Sequence, residues 1–246
     1  MSSSQSDTAQ LRSPTSPTPA FVEETRRTIR APSAAGLAGI LFAVLFTGAL
    51  VLIRTGPWNA ASDAELAEIY RTQRDFPMLV GGLYLAPFAG IMFLWFIAVV
   101  RDQVGSREDQ FFATGFIGSG LLFVAMLFAA SAVAVAPTVG YRYLGEPPPT
   151  EADIELVRSI GYTLLFAFAT RAGSVFLFTT ATIGLRSGAF PRWVALTGYA
   201  LGLAMLIAVS FWDWVVLVLP GWVAVLSIFI LQRERVRRRH EHDGTV

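Results

Sequence analysis

Apolar residues in this chain fall into long unbroken runs separated by polar connections, without the regular stripes or alternation of a soluble domain. Six runs, at residues 35–53, 79–100, 111–136, 160–185, 193–210 and 212–232, are each near or above the ~18–20 residues needed to cross ~30 Å of hydrocarbon. They predict an all-α fold, a polytopic membrane helix bundle with six transmembrane helices. Two longer connections carry a different pattern. Between Arg54 and Met78, Ser62 and Glu65 stand at capping-box spacing, and Leu66, Ile69, Tyr70 and Gln73 recur at helical intervals. In residues 137–158, Pro147, Pro148 and Pro149 precede Thr150 and Asp153, a second helix start. Each connection predicts a short amphipathic helix on the membrane surface or the bundle mouth. Their shared plan fits either a repeated hairpin or convergent loop design.

Inside the runs, small residues mark where backbones can approach closely. Gly36, Gly39 and Ala43 form one such face, and Gly115, Gly118, Ser119 and Gly120 form another. Pro87 interrupts the second run and takes the usual donor away from the carbonyl of Leu83, which a neighbour must then satisfy. Trp193, Trp212 and Trp214 fall where an aromatic belt meets the headgroups, with Tyr199 at or below that level.

The ends differ from the middle. Residues 1–33, rich in Ser, Thr, Gln and Pro, are expected to be a disordered cytoplasmic tail, since they lack the apolar area that offsets ordering. The run that follows is too long for a signal-peptide core and precedes no convincing cleavage site, so it reads as a retained first span. Residues 34–232 then form the six-helix transmembrane domain, and residues 233–246 an arginine-rich cytoplasmic tail. Thirteen of the nineteen arginines lie in the two tails and the second and fourth loops, against five in the first and third. Both termini are therefore expected on the cytoplasmic side.

Composition narrows the chemistry. The mean hydropathy of +0.54 suits a membrane bundle, and the net charge of +1 gives no reason to expect nucleic acid as a partner. There is no cysteine for a disulfide, a thiolate nucleophile or an iron–sulfur cluster, and no lysine for a phosphate-binding loop or a Schiff base. The two histidines, His240 and His242, sit in the C-terminal tail, which excludes a histidine-ligated haem, an HExxH zinc site or a Ser-His-Asp triad in the bundle. No catalytic residue, cofactor or metal site is expected, and the chain reads as a non-enzyme.

One ionisable residue lies deep in an apolar run. Arg171, near the middle of residues 160–185, is expected to face other helices, a wet cavity or a reachable interface rather than lipid tails, because a charge at that depth costs about 2.5–3.5 kcal/mol on insertion scales. On an ideal helix it shares a stripe with Leu164, Ala167, Ser174, Phe178 and Thr182. The candidate intramembrane site is thus Arg171, Asp213, Ser174 and Pro87. It is either an anion site or a latch in which Arg171 pairs with Asp213 or with carbonyls loosened by Pro87 or Pro220. The acidic cluster Glu146, Glu151, Asp153 and Glu155 lacks calcium-loop spacing and reads as a solvated face. The C-terminal arginines fit a topological role and binding of anionic lipid.

Residues 83–123, 170–203 and 219–231, with the segments LYLAPFAGIMFLWF, TRAGSVFLFTTATIGL and LPGWVAVLSIFIL, resemble a group of uncharacterised six-span integral membrane proteins of high-GC, actinobacterial-type bacteria. The resemblance runs from about residue 40 to 231 and omits both tails. It implies a bacterial plasma-membrane location and a topology, and it carries no activity. The expected role is non-catalytic: a scaffold, an accessory subunit or a small-ligand binder, with the lipid bilayer as the partner and homo-oligomerisation left open. The alternative is a small-solute or ion transporter using Arg171 in a central cavity.

Overall fold

A computed structural model describes residues 32–104, 110–188, 191–207 and 213–243. Nine α-helical segments are found among them: α1 (Pro32–Arg54), α2 (Asp63–Arg71), α3 (Phe76–Val80), α4 (Ala86–Val104), α5 (Gln110–Val139), α6 (Glu151–Tyr162), α7 (Thr170–Ser187), α8 (Arg192–Ile207) and α9 (Val218–Asp243). Three wider π-helical turns, Gly81–Leu85, Gly140–Leu144 and Thr163–Ala169, join α3 to α4, extend α5, and join α6 to α7. A 3₁₀ turn, Asp213–Leu217, leads into α9. The expected tail at residues 1–33 lies almost wholly outside the described residues. Beyond residue 232 the α9 backbone stays helical to Asp243.

Among the described residues five helices are long and apolar enough to cross a membrane, as expected of a membrane protein: Gly36–Arg54, Phe76–Arg101, Ala113–Leu144, Glu151–Arg186 and Trp214–Gln232. The predicted fifth span differs. Its helix, α8, has 16 residues and is about 24 Å long, short of the ~30 Å hydrocarbon layer, and residues 208–212 lie outside the described segments. The 36-residue helix that begins at Glu151 is instead about 54 Å long, far more than one crossing needs.

Packing runs from α9 to α1, α4, α5, α7 and α8, and α9 returns to α8 and α7. Phenylalanines fill the centre. Phe93 on α4 lies with its ring centroid 4.6 Å from Phe42 on α1, 5.3 Å from Phe123 on α5 and 4.9 Å from Phe176 on α7, and all four rings are buried. The expected small face on α1 is used at its two glycines: a Cβ on Gly36 would strike Leu231, and one on Gly39 would strike Ser227, both on α9, while Ala43 is half-buried. The patch on α5 is used in part, since Gly120 packs under Ile97 and Phe176 while Gly118 meets nothing within 4 Å.

One end of the bundle is covered by the two polar connections. Ser62 caps α2 through the Glu65 amide at 3.2 Å, and the Glu65 carboxylate accepts from the Ala61 amide rather than closing on Ser62 itself. Thr150 and Asp153 complete a full capping box on α6. The helices then lock together. The Asp63 carboxylate accepts from the Glu151 amide at 2.8 Å, and Leu66, Tyr70 and Ile154 bury one another. Tyr199, named with the belt, is set between helices: its hydroxyl lies 2.6 Å from that of Thr182. Trp193 and Trp214 are exposed as a belt requires.

Candidate functional site

Below this cap, α1, α5 and α6 line a cavity. Phe46 on α1 and Phe123 on α5 meet at 6.0 Å, and one turn further on Leu50 and Leu127 both line this space of about 340 Å³. Ala130 and Ala134 continue the α5 wall, which spans about 10 Å from Leu127 to Ala134 at 1.5 Å per residue. The third wall comes from α6 and the π turn after it, through Val157, Gly161, Leu165 and Phe166. Small side chains on α5 and a glycine on α6 make the space: a Cβ on Gly161 would meet nothing closer than the Ala130 carbonyl, 3.8 Å away. The Ser131 hydroxyl in this wall donates to the Phe128 carbonyl at 3.0 Å, so the depth of the cavity presents apolar surface.

The polar contributions cluster at the cap end. Arg54, the last residue of α1, and Arg158, on α6, both line the cavity, and among the described residues no carboxylate lines it. Trp58 organises this rim. Its indole N–H donates to the Ile53 carbonyl at 2.7 Å, and its own carbonyl accepts from Arg158 Nη1 at 3.2 Å. Arg54 lies with its Cζ 4.7 Å from the centre of the Trp214 ring, a cation–π contact. The result is an amphipathic slot, apolar for its length and polar at one end.

A second polar group holds the cap to the bundle. The turn between α2 and α3 puts Gln73 at φ 60°, uncommon for a residue with a side chain, and delivers Asp75 to a fully buried position. There Arg142, from the π turn that extends α5, donates to both carboxylate oxygens, at 2.5 Å from Nη2 and 3.2 Å from Nε. Arg142 is only 15% exposed, so this pair is largely withdrawn from solvent. The nearby hydroxyls of Tyr70 and Thr138 are buried without a hydrogen-bond partner within range. Burial above all, with the Asp75 charge adding to it, pushes the Tyr70 phenol above its ordinary value and keeps it neutral.

The predicted intramembrane site is not assembled as expected. Arg171 is exposed on the outside of the bundle, and its guanidinium lies back along its own helix to donate to the Ala167 carbonyl at 3.0 Å. Helical side chains lean toward the N-terminus, so the long Arg171 chain reaches a carbonyl one turn back and climbs toward the cap end. Ser174 is fully buried and donates to the Arg171 carbonyl at 2.8 Å, so the two residues do not share an inward stripe. Pro87 is half-buried just past the π turn Gly81–Leu85, where the Ala86 amide reaches back to Gly81; the helix widens ahead of the proline. Pro220 falls in the first turn of α9, where a proline is tolerated. The backbone of Asp213 begins the 3₁₀ turn that packs on Thr163–Ala169, the turn toward which Arg171 reaches, and its side chain lies outside the described residues. An Arg171→Leu variant is expected to unfold thermally in detergent at or above the parent's temperature. A fall of several degrees would reinstate the latch.

Asp75, Arg142, Arg54, Arg158 and Trp58 were not singled out by sequence reasoning. A faint signal existed, since Arg142 and Arg158 stand in a connection otherwise rich in carboxylates. No known family, curated protein or solved structure matches the chain.

Proposed function

We propose that this chain is a non-catalytic, multi-pass protein of a bacterial plasma membrane that binds a small amphiphile in the slot between α1, α5 and α6. The observation that carries the reading is the 340 Å³ cavity, apolar along its length and polar at one end, which falls at the small end of ordinary ligand sites. The absence of histidine, cysteine and lysine from the bundle supports a binding rather than a catalytic role. The arginine distribution supports two cytoplasmic termini, which requires an even number of crossings and so counts the short α8 as a crossing, the fifth of six in chain order. In that orientation the slot opens in the outer leaflet. The C-terminal arginines then face the anionic inner surface. The transporter reading loses its support, because Arg171 is exposed and phenylalanines occupy the bundle centre.

The test uses the parent and Gly161→Leu in phosphatidylcholine nanodiscs, with a radiolabelled single-chain amphiphile and empty discs as background. Gly161→Leu puts a side chain into open space and replaces a poor helix former, so it is expected to keep or raise stability. Saturable binding by the parent, lost in the variant, is the expected result. Equal binding by the two would remove the slot as the site.

A further inference from the structure

We propose that Arg171 is a headgroup site, where the bundle holds the phosphate of one phospholipid in the leaflet at its capped end; the site is separate from the slot and does not depend on it. The argument begins with depth. Arg54 at the end of α1 rests on Trp214 at the start of the last span, and Gly36 at the other end of α1 packs on Leu231, so two antiparallel helices are level at both ends. Each has 19 residues, about 28 Å, so the pair marks where the ~30 Å hydrocarbon layer starts and stops. The helix that carries Arg171 is far longer. From its far end at Arg186, about fifteen residues or 22 Å lead to Arg171, which therefore leaves the backbone about 8 Å inside the cap-side boundary. A second route agrees. Phe176 touches Phe93, and Phe93 touches Phe42, about 18 Å along α1 from Arg54; Arg171 stands about 7.5 Å nearer the cap than Phe176, and so about 10 Å inside. An outstretched arginine covers much of that distance.

The surroundings name the ligand. Arg171 faces away from the bundle between Phe168 and Val175, large side chains that are both exposed. Its Nη1 donates to the Ala167 carbonyl, the one partner of this guanidinium among the described residues. Arginine carries five N–H donors in a rigid fork, so a single bond to a neutral carbonyl aims the group toward the cap and leaves its charge and most of its donors to the lipid. The anions met at that level are headgroup phosphates, in the polar layer of about 5–8 Å that borders the hydrocarbon. Phosphate oxygens suit the planar fork of arginine. The two meet by movement from both sides: the side chain reaches up, and the leaflet dips locally toward it. Val175, one turn below, then offers an apolar edge to the acyl chain of the same lipid.

The experiment uses a feature of the sequence. The chain has no cysteine, so Val175→Cys takes one bimane fluorophore beside the site and nowhere else. The full chain, in maltoside micelles that carry no phosphate, is titrated with phosphatidic acid or with diacylglycerol, whose identical brominated chains quench the fluorophore and whose heads differ by the phosphate. Phosphatidic acid is expected to reach half-quenching at a concentration at least about tenfold lower, the effect of one hydrogen bond to a charged group. Arg171→Leu is expected to erase that preference and Arg171→Lys to keep part of it. Equal quenching by the two lipids on the labelled parent, a comparison that needs no further variant to fold, would overturn the site. A preference that survives Arg171→Leu would do the same. Millimolar inorganic phosphate is expected to leave the phosphatidic acid in place; its release would identify a soluble anion as the occupant and overturn the lipid.

Discussion

Replacing Arg142 with methionine is expected to destabilise the folded bundle by about 3–5 kcal/mol, measured by denaturant unfolding in detergent. The size follows from what remains. Asp75 is fully buried and receives both of its strong hydrogen bonds from this one guanidinium, so the variant keeps a carboxylate in a low-dielectric site with no counter-charge. The double variant Asp75→Leu with Arg142→Met is expected to regain most of that loss, because two apolar side chains leave no uncompensated charge. A double-mutant cycle reads the coupling directly. A single variant as stable as the parent would mean that the pair contributes nothing to holding the cap on the bundle.

The second large effect is expected at Phe93. Its ring touches Phe42, Phe123 and Phe176, and stacks on Phe96 at 6.3 Å, so truncation removes contacts to three other helices at once. Phe93→Ala is expected to cost about 3–5 kcal/mol through the cavity it leaves. Insertion into the membrane should proceed as before, since alanine is still apolar and span formation precedes helix packing. The checking measurement pairs a glycosylation reporter for topology with an unfolding curve for stability. Loss of the reporter pattern would show that Phe93 acts on insertion; an unchanged unfolding curve would show that the aromatic cluster tolerates a void.

How much of this was readable in the chain depends on how local each determinant is. Five of the six apolar runs, the helix start at Thr150 and Asp153 and the Gly36–Gly39 face are local patterns, and each of these appears where its pattern placed it. Arg171 was placed with neighbours it does not share a face with. Upstream, Thr163–Ala169 is a π turn that breaks the α spacing to Leu164 and Ala167, and within α7 itself Ser174 is buried while Arg171 is exposed, so a wheel three residues wide did not fix which edge of the face meets the bundle. The cap pair was beyond reach for another reason: 67 residues separate Asp75 from Arg142, and nothing local tells either residue about the other. The slot was illegible because its lining is drawn from α1, α5 and α6, segments far apart in the chain. Even Trp58, which sits in an unremarkable polar connection, takes its meaning from Arg158, 100 residues away.

The separation between Asp75 and Arg142 also bears on how the protein is made. At about 5–20 residues per second, the acid leaves the ribosome roughly 3–13 s before the base that will neutralise it. Through that interval the first two helices sit in the insertion machinery with a carboxylate that has no mate. Biogenesis of this chain therefore needs the nascent hairpin kept hydrated at its tip until translation delivers the second one.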